Sequence, residues 1–266
     1  MRVKSDDTEI LYELRGSGAP VILLHPFPAN HHFWDGCAPF LETRYQLITP
    51  DLRAHGDSPP GEGPATMIKH AQDLARLCDE LKLVRAAFVG CSIGGYVLFE
   101  FWRRFRDRIA ALIFSNTRAG EDSPDQRAAR EKQIQDVNER GPSALIEPAL
   151  PKMLSETSMR SHPDRAEAAR TLMSHMSVKG IGSALQGLAV RPDSTATLKT
   201  INVPTLIIAG AEDTLTPRSE AEIIHQGIAG SRLEIVPGAG HYAPLEEPEE
   251  WARIVRAFLD QTTIGN

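Results

Sequence analysis

The segment Gly90-Cys91-Ser92-Ile93-Gly94-Gly95 has the sharpest chemical meaning in this sequence. A serine stands between two glycines at G-x-S-x-G spacing. The apolar run Ala86–Val89 precedes it, and the helix-like pattern Ile93–Phe105 follows. A strand that turns this tightly into a helix has no room for side chains at Gly90 and Gly94, and it exposes Ser92 at the end of the strand. A serine hydroxyl is a poor nucleophile at neutral pH and needs an adjacent base. The candidate base is His241, in the loop Pro237-Gly238-Ala239-Gly240-His241-Tyr242-Ala243-Pro244 after the apolar run Leu233–Val236. The candidate acid that would fix its tautomer is Asp213, in the loop after Thr205–Ala209. Its neighbour Glu212 is the second choice. Attack on a carbonyl creates an oxyanion that needs two aligned N–H donors. Ile93, directly after the serine, would supply one. The loop His25-Pro26-Phe27-Pro28 would supply the other, from Phe27, because the flanking prolines have no N–H.

These residues need a scaffold that brings distant loops to one place. Short apolar runs recur at Val21–Leu24, Gln46–Thr49, Ala86–Val89, Ala110–Phe114, Thr205–Ala209 and Leu233–Val236. Continuous apolar runs suit strands buried on both faces of a parallel sheet. Helical patterns lie between them at Ile68–Leu81, Ile93–Phe105 and Glu220–Gln226, and Glu250–Leu259 closes the chain. That alternation predicts βαβ units and an α/β fold. Lys4–Leu14 reads as an antiparallel strand or hairpin. From about Thr117 to Ala196 the alternation stops. Helical patterns at Ser123–Glu139, Ser143–Leu154, Pro163–Met176 and Lys179–Leu188 fill this interval. It has no Phe, Tyr or Trp, and it holds Met153, Met159, Met173 and Met176. The expectation is a helical lid, residues 117–196, over a core of residues 1–116 and 197–266. A lid can exclude water and shape a pocket; the plainer alternative is an excursion that only packs. Met153 and Met173 are candidate pocket residues, as is Trp34 near the Phe27 loop. Each has packing as its alternative.

The 266 residues are 41% hydrophobic and 24% charged, ordinary for a globular chain, with a net charge of −6. An acidic balance argues against a nucleic-acid partner. Cys37, Cys78 and Cys91 are too few and too oddly numbered for a disulfide framework and read as buried small hydrophobes. The N-terminal residues turn acidic at once and do not read as a signal peptide. No apolar stretch suggests a membrane span. The expectation is a soluble cytoplasmic protein with no membrane partner. His31-His32 is a loop pair rather than a metal site. No GxGxxG, Walker loop or CxxC occurs, so neither a metal nor another cofactor is expected.

Taken together, the Ser92 elbow, the Asp213 and His241 loops, His25-Pro26-Phe27-Pro28 and Asp51-Leu52-Arg53-Ala54-His55-Gly56-Asp57-Ser58 resemble the α/β-hydrolase fold family almost end to end. The resemblance implies a mostly parallel sheet flanked by helices, with the lid inserted after the sixth strand. Two positions depart from the family pattern: Pro26 and Ala54 stand where glycine is usual. Arg53, His55 and Asp57 read as structural. Relatives that form alkyl esters carry aspartate at the elbow, so Ser92 points to acyl transfer. Within the serine branch the sequence is most similar to small carboxylesterases and 3-oxoadipate enol-lactonases, including Phe114-Ser115-Asn116-Thr117. The implied activity is hydrolysis of a small-molecule ester or lactone through an acyl-enzyme. A C–C hydrolase of ring-cleavage products is an alternative. A non-catalytic ligand receptor on the same fold is a different class.

Overall fold

The computed structural model describes residues 1–264. Its centre is an eight-stranded sheet in the order β1-β2-β4-β3-β5-β6-β7-β8. The strands are β1 (Arg2–Ser5), β2 (Thr8–Arg15), β3 (Ala19–Leu24), β4 (Tyr45–Pro50), β5 (Ala86–Cys91), β6 (Ile109–Ser115), β7 (Thr205–Gly210) and β8 (Arg232–Val236). β1 and β2 form an antiparallel hairpin and β2 pairs antiparallel with β4; every other pairing is parallel.

The apolar runs behave as period-2 strands covered on both faces. Val21, Leu23, Ala87, Val89, Ala111, Ile113, Leu206 and Ile208 enter one core. The alternate residues Ile22, Leu24, Phe88, Leu112, Phe114 and Ile207 enter the other. Helices α1 (Met67–Glu80), α2 (Ile93–Phe105) and α9 (Arg218–Gly227) cover the second face, and α11 (Pro248–Leu259), after the short α10 (Ala243–Glu246), covers the first. The buried stripe of α11 is Trp251, Ala252, Ile254, Val255, Phe258 and Leu259, with charged residues on its outer side. All three cysteines are free and buried. No helix among the described residues is long and apolar enough to cross a membrane.

Between β6 and β7 the described chain runs only through helices. They are α3 (Pro124–Arg140), α4 (Ser143–Met153), α5 (Glu156–Ser161), α6 (Pro163–Met173), α7 (Val178–Ala189) and the short α8 (Thr195–Leu198). α3 starts on a capping box: Ser123 accepts from the Gln126 amide, and the Gln126 side chain accepts from that of Ser123. α3 buries only Val137 fully.

The Asp51–Ser58 loop is held by charge. Arg53 is buried and donates two 2.7 Å bonds to Asp73 and a 2.9 Å bond to Asp7. Asp51 accepts from the His31 amide and the Asp57 amide, and it pairs with the His31 ring. His32 lies against Asp35 instead. Arg53→Ala would strand the buried Asp73 carboxylate. It should cost about 3–5 kcal/mol, the usual penalty for breaking a buried pair, read from denaturant unfolding. A variant as stable as the parent would show that this pair holds nothing.

Candidate active site

Because β3, β5, β6, β7 and β8 are mutually parallel, their C-terminal ends share one edge of the sheet. Open α/β sheets place their ligand sites at that edge. The loops carrying Phe27, Ser92, Asn116, Asp213 and His241 all leave from it.

Ser92 links β5 to α2 with φ 53° and ψ −114°. A non-glycine residue there is strained, by about 1–3 kcal/mol, and persists only where its surroundings dictate it. The surroundings do so. A Cβ at Gly90 would lie 2.5 Å from the carbonyl group of Gly94, and one at Gly94 would press on the Leu24 carbonyl oxygen. The Ser92 carbonyl accepts from the Gly95 amide at 2.9 Å and from the Thr117 hydroxyl at 2.8 Å. Gly90→Ala should therefore destabilise the protein by about 1–3 kcal/mol, the range for overpacking. At this chain length each kcal/mol lowers Tm by roughly 2–4 °C. An unchanged Tm would mean that the turn has slack.

His241 is buried. Its Nδ1 lies 2.9 Å from Asp213 Oδ2 and 3.2 Å from Thr216 Oγ1. The Asp213 carboxylate is densely bonded. Oδ2 accepts from Asn116 Nδ2 at 3.0 Å and Thr216 Oγ1 at 2.6 Å, and Oδ1 accepts from the Leu215 and Thr216 amides. Burial alone would raise its pKa. The His241 charge and the bonds from His241 and Thr216 outweigh burial and hold the carboxyl well below the usual range. Glu212 faces the other way and accepts from the Thr157 amide and hydroxyl.

The structure brings Phe27, Ser92, Ile93, Met153 and His241 onto one cavity of about 450 Å³, large enough for a small organic ligand. Ile93 is the first residue of α2, so its N–H has no acceptor within the helix. Two of the expected pocket residues lie elsewhere. Trp34 is in the core with its ring 5.4 Å from that of Trp251, because the turn His31–Trp34 faces α11. Met173 is also fully buried in that core, at the end of α6.

Three residues that sequence reasoning missed hold this edge together. Thr216 bonds Asp213, as above. Asn116 Nδ2 joins Asp213 to the Gly240 carbonyl. Glu246, fully buried, accepts from the Gly240 amide at 2.8 Å and the Ser155 amide at 2.7 Å. Thr216 was findable, because an aspartate accepting from amides two and three residues on is an Asx turn. Asn116 and Glu246 act across long sequence separations and carry no local signal.

Residues 19–248 match the family described as alpha/beta hydrolase fold. The chain belongs to this family. Among curated relatives, 3-oxoadipate enol-lactonase 2 of Acinetobacter baylyi is 26% identical over 242 residues, covering 90% of this chain and 88% of that one. A thermophilic esterase from Thermogutta terrifontis, solved with malate bound, superposes with a TM-score of 0.95 at 35% identity. The match covers 98% of each chain. The enol-lactonase of Burkholderia xenovorans LB400 superposes with a TM-score of 0.91 at 25% identity, covering 98% of this chain and all of that one. Esterases and enol-lactonases are thus among the proteins that this α/β-hydrolase resembles over nearly its whole length.

Proposed function

We propose that this α/β-hydrolase is a serine carboxylesterase or lactonase working through an acyl-enzyme. The observation that carries the reading is the strained Ser92, which opens onto the same cavity as His241, whose Nδ1 is tied to Asp213. With Nδ1–H donated to Asp213, Nε2 is left as the acceptor nitrogen. His241 takes the Ser92 proton as Oγ attacks the carbonyl carbon, and the amides of Phe27 and Ile93 hold the resulting oxyanion. His241 then protonates the leaving alcohol. The acyl–oxygen bond breaks and leaves the acyl group on Ser92. Water attacks in turn, giving its proton to His241, which passes it to Ser92 Oγ as the acyl–Oγ bond breaks and the acid leaves. An ester and a lactone differ here only in whether the alcohol leaves or stays tethered, which agrees with relatives of both kinds. The helices of residues 117–196 act as the lid: α3 and α4 wall the cavity, and Met153 contributes to its lining.

A p-nitrophenyl ester series from short to long acyl chains tests this reading. Turnover should peak at one chain length, set by the cavity. Folded protein that hydrolyses neither these esters nor a panel of lactones would overturn it.

A further inference from the structure

A helix packed onto a protein ordinarily turns an apolar stripe inward. α3 does not. The residues it sends to the cavity are Gln126, Ala129, Arg130, Gln133 and Asp136, which share one helix face. Two residues before α3, Asp122 is fully buried and shared by three guanidinium groups. Arg118 donates to it at 2.8 Å, Arg130 donates through Nε and Nη2, and Arg191 Nη2 lies 3.1 Å away without hydrogen-bond alignment. Three positive charges on one negative leave this cluster with an excess of two.

Its donors are also incompletely used. Arg191 is 3% exposed, yet Nε, Nη1 and Nη2 have no hydrogen-bond partner among the described residues, and neither has the buried Nε of Arg118. Buried donors without partners are rare. Arg191 is held with its Cζ 4.3 Å from the centre of the Tyr96 ring, and Tyr96, Arg118 and Arg130 all line the cavity that holds Ser92. Lys152 adds a further positive charge to the lining, and the lining carboxylate Asp136 is already paired with Lys132 and Arg140. Positive charge in a partly enclosed cleft attracts an anion, and planar guanidinium groups suit a carboxylate.

We propose that the cavity takes esters or lactones bearing a free carboxylate, which Arg118 and Arg130 bind while Ser92 attacks the acyl carbon at the other end. Arg191, behind Tyr96, reinforces the field without touching the substrate. This rests on the hydrolase reading above and adds the charge of the substrate.

The test compares esters of matched size. Mono-p-nitrophenyl glutarate is set against p-nitrophenyl pentanoate, and 4-carboxyphenyl butyrate against phenyl butyrate, so that the carboxylate is tried on either side of the scissile bond. At least one anionic ester should exceed its neutral partner in kcat/KM by about ten- to hundredfold, the range for charge-assisted hydrogen bonds. Arg130→Gln should shrink that ratio toward one, chiefly through KM, and Arg118→Lys should retain part of it. Parity between anionic and neutral esters on both sides would overturn the proposal while leaving the hydrolase reading intact. Titration calorimetry with glutarate decides the point even if no ester turns over. Saturable binding weakened about tenfold or more in Arg130→Gln supports the site, and no binding to the parent protein overturns it.

Discussion

Replacing Ser92 by alanine should lower ester turnover by roughly 10⁴–10⁶-fold and leave the fold intact. The loss follows from the proposed chemistry: without Oγ no acyl-enzyme would form, and only oriented binding and the proposed oxyanion donors would remain to help water. The fold should survive because the Ser92 hydroxyl is not among the bonds that hold the turn. The carbonyl of that residue is, through Thr117 and Gly95. The backbone strain also yields a companion result. Ser92 sits at φ 53°, where glycine is at ease and other residues are not. Ser92→Gly should therefore be as inactive as the alanine variant and more stable than the parent, with a higher Tm. Strain kept at a reactive serine and relieved only when activity is lost is the mark of a functional position. Near-parental turnover in the alanine variant would remove Ser92 from the mechanism. A glycine variant less stable than the parent would show that the turn is not strained.

What could be read from residue order alone has a clear boundary. The apolar runs Val21–Leu24 and Ala110–Phe114 each lie within a strand, because burial on both faces demands a continuous run. Ile93–Phe105 matches its helix residue for residue, since glycines and charged residues bound its apolar stretch. The edges of other elements lie within three residues of expectation: pairing or caps extend most of them, whereas α6 stops at Met173, three residues short of Met176. β3, for example, starts at Ala19 because it pairs with Tyr45 of β4. The helix Glu156–Ser161 was not legible: six residues with one fully buried side chain, Ser158, give no period to detect. Side-chain destinations were hardest. Trp34 and Met173 have the right chemistry for a pocket, but packing against Trp251 and the neighbouring helices decides where they go. Conversely, the polar stripe of α3 looks from sequence like an ordinary solvated face, and only the fold turns it toward the Ser92 cavity.

Asp213→Asn should cost roughly 10³–10⁴-fold in kcat, for a reason its contacts make specific. The carboxylate accepts from His241, Thr216, Asn116 and two backbone amides. Every partner is a donor. An amide in its place offers one oxygen to five donors and turns its own NH₂ group toward the rest. The least costly way out is for His241 to give up its Nδ1 proton and accept there, which puts the proton on Nε2 and leaves no lone pair for Ser92. The same contacts fix a pH dependence. The Asp213 carboxyl is held below its unfolded value by His241 and Thr216. A depressed carboxylate contributes stability that is present above the unfolded pKa, about 3.9 for aspartate, and is lost as pH falls through the folded one. The parent should thus be the more stable protein near neutrality. Its advantage over the Asp213→Asn variant should narrow as pH falls below about 4, which Tm measured against pH would show. A near-normal rate in the variant would move the orienting role off Asp213, and Glu212, turned toward Thr157, is not placed to take it up. A stability gap constant down to low pH would mean that the carboxylate's charge is not what these five donors secure.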